Sequence, residues 1–253
     1  MQATLQVYLE FLHGMSYSRI FYDANQDCYR LDQSMGFYMK YSVLQTFLFC
    51  CAYYSIKEWH VMFYLTTFIT IDFILHLTAA VEALSLMMQL IWSLIQQYRL
   101  LNLIRRLQKL SKNCGDLKDP RWMLRCWMVF NLMYPLNTVL QYGFLILSDS
   151  SCILLLANSI VHHFYCNYLM TFLAVLLNLM TQILRKYRKG LESALDEGQP
   201  MEHIQKIALR YIKVHDQILF LAEQHVSFIY GPLIILHLTY ATLALTSILY
   251  YLS

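Results

Sequence analysis

The amino-acid sequence predicts an all-α fold, a polytopic bundle of membrane helices with long helices that project into the cytoplasm. Residues 152–184 contain no Asp, Glu, Lys or Arg, whereas a bilayer core about 30 Å thick needs only about 20 apolar residues. Hydrophobic residues make up 58% of the chain and charged residues only 14%, well below the roughly 25% of typical soluble domains. Basic residues follow the apolar runs, as they do at cytoplasmic membrane boundaries.

Five apolar runs are predicted to span the bilayer within a single transmembrane domain, residues 1–253. Residues 1–16 are short and interrupted by Glu10, so we expect an interfacial or re-entrant helix there, and residues 17–35 are polar and turn-prone. The predicted spans are residues 36–56, 61–82 with a helical extension to 108, 123–147, 152–184 and 228–252. In the last helix, Gly231 and Pro232 predict a kink.

The distribution of positive charge predicts the topology. When the N-terminal segment, residues 99–125 and residues 185–213 are assigned to one side, that side collects 18 of the 19 Lys and Arg, and only Lys57 lies on the other. The positive-inside rule then predicts a cytoplasmic N-terminus and an exterior C-terminus. This orientation is inverted relative to G-protein-coupled receptors.

Other classes of function find no support in the sequence. The seven Cys are scattered without a CxxC pair or a Cys/His spacing, so neither a metal site nor a disulfide framework is predicted. No cofactor is expected. No basic patch with interleaved aromatic residues indicates nucleic-acid binding. No phosphate-binding loop, acidic metal-binding cluster or pairing of a nucleophile with a base predicts an enzyme.

Polar residues at membrane depth are the candidates for function, because each is costly in hydrocarbon. Asp72 and His76 lie one turn apart on one helix face. Such polar residues cluster in the outer-to-middle half of their spans, and aromatic residues share this zone, which predicts an outward-facing cavity. The candidate ligand-binding residues are Asp72, His76, Gln141, His162, His163, Tyr165, His237 and Tyr240.

The alternative for each polar group is a structural role, in which the groups satisfy one another and fix helix packing. Glu82, Gln89, Asn167 and Asn178 are also polar residues within the apolar runs, but they are not part of the predicted pocket. Adjacent histidines point about 100° apart on a helix, so His162 and His163 make a poor pair of metal ligands.

Several segments resemble the insect gustatory receptors and, more distantly, the insect odorant receptors. Near the N-terminus, Phe11-Leu12-His13-Gly14 is followed by the aromatic-Asp turn Phe21-Tyr22-Asp23. The ends of the second and fourth spans, QQYRLLNLIRRLQKL and LLNLMTQILRKYRKGLESAL, resemble the cytoplasmic helix ends of that family, and RYIKVHDQILFLAEQHVSFIYGPLIILHL resembles the approach to its fifth span.

The resemblance implies a plasma-membrane receptor for a small-molecule tastant that gates a cation channel. It also implies a homo- or hetero-tetramer of related subunits embedded in the lipid bilayer. The cytoplasmic extensions, residues 83–110 and 180–225, would then pack together as an anchor between subunits.

One departure concerns the end of the chain. The last of the seven spans in such receptors carries Thr-Tyr, five residues and then Gln-Phe, whereas Thr239-Tyr240 is followed at that spacing by Thr246-Ser247. The final helix is therefore interpreted as the fifth span, and we expect spans six and seven to be missing from this chain.

Two other functions remain open at the level of the sequence. One is a membrane transporter or membrane enzyme that uses Asp72 and His76 as a proton or substrate relay. The other is a non-conducting subunit that modulates a related full-length receptor.

Overall fold

Long α-helices dominate the computed structural model, as the sequence predicts. The structure describes residues 2–14, 18–57, 69–114 and 152–252, together with residue 117 and the helical positions 122, 125, 126, 129, 133 and 136. The elements in chain order are α1 (Gln2–Gly14), β1 (Ile20–Asp23), β2 (Cys28–Leu31), α2 (Met35–Lys57), α3 (Ile69–Lys112), α4 (Cys152–Asp196), α5 (Met201–Leu221), a π-helical turn (Ala222–Val226) and α6 (Ser227–Leu252).

The helices coincide with the predicted spans wherever the structure describes them. Helix α2 covers the first span, and α3 and α4 continue without a break for 44 and 45 residues. At 1.5 Å per residue each extends roughly 66 Å, about twice the hydrocarbon thickness of a bilayer. Residues 61–68 of the second span and most of the third span, 123–147, lie outside the described residues.

Two helical stretches in the described part of the chain are long and apolar enough to cross a membrane. They are Ile160–Asp196 and Met201–Leu243. The second stretch includes the π-helical turn at Ala222–Val226. This turn precedes Gly231 and Pro232, the pair predicted to kink the helix, and Pro232 lies inside α6. The number of spans and their orientation remain predictions.

The segment at residues 17–35 contains a β-hairpin that the sequence analysis did not predict. Ile20 pairs with Leu31 and Asp23 with Cys28, in antiparallel register. The connecting turn is polar, as expected: the Asn25 amide donates to the Asp23 carboxylate at 3.0 Å, and Asp27 adopts a positive φ of 49°. Asp and Asn tolerate this left-handed conformation better than most residues.

A single glycine ends α4. Gly198 has a φ of 61°, a left-handed conformation that costs little without a Cβ atom. The amides of Gly198 and Gln199 donate to the carbonyls of Leu195 and Ala194, both at 3.2 Å, so the helix end is capped. Pro200 follows immediately, and α5 begins at the next residue.

Contacts divide the chain into two compact units. Unit 1 consists of Met1–Gln33, Gln96–Leu124 and Thr171–Gly231, and unit 2 of Ser34–Ile95, Arg125–Met170 and Pro232–Ser253. Sixteen of the 19 Lys and Arg fall within the ranges of unit 1. The charged residues of unit 2 are limited to Lys40, Lys57, Glu58, Asp72, Glu82, Arg125 and Asp149.

Unit 1 is held together in part by α1. Leu5, Tyr8, Leu9 and Leu12 are buried, and their spacing places them on one helix face. The ring of Tyr8 stacks on that of Phe172 from α4, with centroids 5.8 Å apart. Helix α1 therefore packs within unit 1 through an apolar face.

The hairpin of unit 1 is clamped by one face of α3. Arg105 Nε donates to the Tyr29 carbonyl at 2.7 Å, and Gln108 Nε2 donates to the Asp27 carbonyl at 3.0 Å. One turn further, Lys112 donates to the Asp27 carboxylate, which also accepts from the Tyr22 hydroxyl. The hydrogen bonds from Lys112 and Tyr22 lower the pKa of Asp27 below its ordinary value of 3.8.

Replacing Tyr8 with Ala should destabilise unit 1, because its ring is only 1% exposed and stacks on Phe172. We expect a loss of about 3 kcal/mol, which corresponds to a decrease of roughly 6–12 °C in the Tm of the detergent-solubilised protein. Val7→Ala is the matched control, since Val7 is 50% exposed. Equal melting temperatures for the two variants would contradict the packing of α1.

The clamp on the hairpin should depend on pH. The pKa of Asp27 is lower in the folded protein than its ordinary value of 3.8. The ionised carboxylate therefore stabilises the fold above pH 3.8, and this stabilisation is lost as the pH falls through the folded pKa. Amide hydrogen exchange of residues 20–31, corrected for intrinsic rates, should therefore accelerate as the pH falls below the folded pKa of Asp27. Asp27→Asn should exchange rapidly at neutral pH as well, whereas Asp196→Asn should behave as the wild type. Slow exchange in Asp27→Asn would contradict the clamp.

Candidate functional site

Three of the predicted ligand-binding residues come together in unit 2. We call His162, His163 and Tyr240 the imidazole–tyrosine cluster. The Tyr240 hydroxyl and His163 Nε2 share a hydrogen bond at 3.3 Å. The Tyr240 ring meets the His162 ring edge to face, with centroids 4.8 Å apart. The centroid of the His163 ring lies 5.8 Å from that of the Tyr240 ring and 5.6 Å from that of the His162 ring.

Helices α4 and α6 supply this cluster, and both are largely apolar at these positions. His162 is fully buried and Tyr240 is 8% exposed, whereas His163 is partly exposed. His237 lies one turn before Tyr240 on α6, within electrostatic range of both histidines. The two rings of α4 therefore contact a single tyrosine from α6, although adjacent positions on a helix point in different directions.

A polar face of α3 continues the cluster on the other side of His162. We call Glu82, Ser85 and Gln89 the polar face of α3. Gln89 Nε2 donates to Ser85 Oγ at 3.1 Å and to Cys166 Sγ at 3.3 Å. Cys166 Sγ in turn lies 3.6 Å from His162 Nε2, within hydrogen-bonding distance for sulfur.

The second nitrogen of His162 has a different neighbour. His162 Nδ1 lies 3.8 Å from Glu82 Oε1, within ion-pair range but too far for a hydrogen bond. Within the described part of the chain, the buried Nδ1 atoms of His162 and His237 have no hydrogen-bond partner. Because a buried polar atom is costly when unsatisfied, these two nitrogens are available to bind a ligand or water.

The remaining predicted site residues lie outside what the structure describes. Gln141 is not described at all, and the side chains of Asp72, His76 and Tyr165 are not described although their backbones are helical. Their assignment to a binding site stays a prediction. The described residues contain no group of three or more His, Cys, Asp or Glu placed to hold a metal ion.

The family of the protein is decided by one comparison. A family model described as "7tm Chemosensory receptor" matches residues 7–253. The chain belongs to this chemosensory receptor family. The match confirms the resemblance drawn from the sequence, and the family is one of receptors and not of enzymes. No curated protein and no solved structure matches the chain.

Sequence reasoning missed the part of this candidate site that comes from α3. Glu82 and Gln89 were recognised as polar residues within the apolar runs, but Ser85 and Cys166 were not recognised at all. The signal was present in the spacing: residues 82, 85 and 89 share one helix face, and His162 and Cys166 are one turn apart. The pairing of these two faces depends on helix packing between distant parts of the chain.

A second concave surface in unit 2 of the receptor was also not predicted. It has a volume of about 690 Å³ and lies between α2 and α3. Its lining is mostly aromatic and apolar: Thr46, Phe47, Phe49, Cys50, Tyr53, Tyr54 and Met87. Its described lining contains no charged side chain, so these residues offer less chemical discrimination than the imidazole–tyrosine cluster.

Packing within the cluster can be tested by changing His162. His162→Ala should lower stability by roughly 2–3 kcal/mol, because it opens a cavity beside Tyr240 and removes one of the partners of Cys166. His162→Phe keeps a ring in that space and should lose less. The measurement is the Tm of the detergent-solubilised receptor, with the exposed His215→Ala as control. A Tm of His162→Ala equal to that control would show that the cluster is not packed as described.

Proposed function

We propose that this chain is a subunit of a plasma-membrane taste receptor that binds a small organic tastant at the imidazole–tyrosine cluster. The chemoreceptor role follows from the family. The site within the chain is proposed from one observation: two histidines from α4 and a tyrosine from α6 converge in unit 2. Two buried imidazole nitrogens there have no hydrogen-bond partner among the described residues.

The chemistry of the cluster suits a small polar organic molecule. Imidazole and phenol groups each offer an aromatic face and a hydrogen-bonding atom, and binding sites for organic ligands combine these features. A ligand with a hydroxyl or amine group would satisfy the Nδ1 atom of His162 or His237. The ligand would thereby supply a hydrogen bond that no described residue provides.

The surface of unit 2 supports a location in the bilayer. Ile235, Leu238, Leu245 and Leu249 on α6 are each more than half exposed. The exposed threonines of this helix bind their own backbone: the hydroxyls of Thr239, Thr242 and Thr246 donate to carbonyls one turn earlier at 2.8–2.9 Å. Internal satisfaction of polar groups is what a lipid solvent demands.

We further propose that the protein crosses the membrane several times, with its N-terminus in the cytoplasm. The basic residues collected in unit 1 support this orientation through the positive-inside rule. In this proposal, related subunits assemble as a homo- or hetero-tetramer, and tastant binding gates a cation conductance.

Tyr240→Phe tests the site most selectively, because it removes the hydroxyl that pairs with His163 and keeps the ring against His162. The receptor would be co-expressed with related subunits, and currents would be recorded for a panel of sugars, alkaloids and amino acids. Loss of one hydrogen bond costs about 1 kcal/mol and should raise the half-maximal concentration of the tastant roughly fivefold. His163→Gln should shift it in the same direction, and His215→Gln should not.

Surface labelling must accompany these recordings, so that a silent variant is distinguished from one that does not reach the membrane. Unchanged dose–response curves for Tyr240→Phe and His163→Gln would contradict the assignment of the site. No response by the wild type alone, combined with altered currents of a partner receptor, would indicate a modulatory subunit in place of a conducting one.

A further inference from the structure

A basic groove lies within unit 1, away from the imidazole–tyrosine cluster. It lies between the C-terminal end of α3, Tyr187 of α4, and α5. Its volume is about 930 Å³. Its cationic and aromatic lining residues are Arg106, Lys109, Arg210, Lys213, Tyr187 and Phe220. We call this surface the basic groove.

Among the described residues, the cations of the basic groove outnumber its acids. In the ranges that the structure describes, no carboxylate lies within ion-pair distance of Arg106, Lys109, Arg210 or Lys213. The lining includes one acid, Asp216, whose carboxylate lies 3.5 Å from the Nδ1 atom of the neighbouring His215. Other cations of unit 1 form ion pairs: Arg188 pairs with Glu192 at 2.7 Å, and Lys112 pairs with Asp27. Among the described lining residues, four cations share this space with one acid, which gives the groove a positive potential.

Aromatic rings position the two guanidinium groups. Arg106 Cζ lies 5.9 Å from the centroid of the Phe220 ring, and Arg210 Cζ lies 5.6 Å from that of the Tyr187 ring. A guanidinium has five N–H donors, so packing against an aromatic face, or a hydrogen bond such as that between Arg210 and Tyr187, leaves others available at the edge of its plane. Such preorganised forks match the geometry of phosphate oxygens, and lysines add mobile point charges beside them.

The size and surroundings of the groove narrow the class of ligand. A volume of about 930 Å³ is in the range of sites for organic ligands and is large for a single inorganic ion. Leu209 and Ile212, 68% and 53% exposed, also line the groove. Apolar side chains beside clustered cations suit a phosphorylated headgroup at a membrane surface.

We propose that the basic groove binds a ligand with clustered phosphate monoester groups, the chemistry shared by polyphosphoinositide lipids and soluble inositol polyphosphates. The inference is independent of the tastant site, because all of the residues involved belong to unit 1. In this proposal, the basic residues of unit 1 bind an anionic ligand.

The test compares two double variants of the full-length protein that remove the same charge. Lys109→Gln/Lys213→Gln removes two cations from the groove, whereas Lys189→Gln/Lys206→Gln removes two exposed cations outside its lining. Purified protein in detergent would be titrated with phosphatidylinositol bisphosphate, with phosphatidylserine, and with soluble inositol trisphosphate. At about fivefold per cation, the groove variant should bind phosphatidylinositol bisphosphate roughly 10- to 30-fold more weakly, and the control variant should lose far less.

The ligands distinguish the two sources of phosphate. Tight binding of phosphatidylinositol bisphosphate with weak binding of inositol trisphosphate would assign the groove to a lipid headgroup, and comparable binding of both would assign it to the phosphate cluster alone. Three results would overturn the proposal: no binding of either phosphate ligand, equal binding of phosphatidylserine, or equal losses in the two double variants, which would indicate attraction to overall surface charge.

Discussion

Unit 2 contains very little charge, and this scarcity constrains both its helices and its polar side chains. Helices α3 and α4 each contribute one part to unit 1 and another to unit 2, so a single helix serves two chemical environments. Its part in unit 2 is almost free of charge, and its part in unit 1 carries Lys and Arg. A helix satisfies its own backbone hydrogen bonds in either environment, which is why these elements continue for 44 and 45 residues.

The same constraint explains why the polar residues of unit 2 lie together. A charged or polar side chain in an apolar environment needs a partner, and the partners here come from different helices. Glu82 lies near His162, Gln89 reaches Cys166, and His163 meets Tyr240. These contacts link α3, α4 and α6 into one polar network. The cluster proposed to bind a tastant therefore also contributes to helix packing, so the structural and the functional interpretations of these residues are compatible.

Much of the helical architecture could be predicted from the sequence, because apolar length and charge placement are local properties. Met35–Lys57 and Cys152–Asp196 are helical where spans were predicted. The β-hairpin was missed because each strand has only four residues and is stabilised by distant contacts, such as the one from Arg105 to Tyr29. Short strands of this kind leave little periodic signal.

The candidate site could be predicted only in part, for a related reason. His162 and His163 were identified because two adjacent histidines are conspicuous in an apolar run. Their partners depend on the register between helices that are distant in sequence, with Gln89 and Cys166 separated by 77 positions. The basic groove likewise combines residues from α3, α4 and α5, none of which is unusual on a charged helix face.

The central proposal is that the apolar runs cross the bilayer, with the basic residues 185–213 in the cytoplasm and Lys57 on the outside. Single cysteines tested with a membrane-impermeant maleimide examine it directly, in a background without native cysteines. Lys206→Cys should be labelled only after the cells are permeabilised, and Lys57→Cys should be labelled in intact cells. Labelling of Lys206→Cys in intact cells, with Lys57→Cys protected, would contradict it.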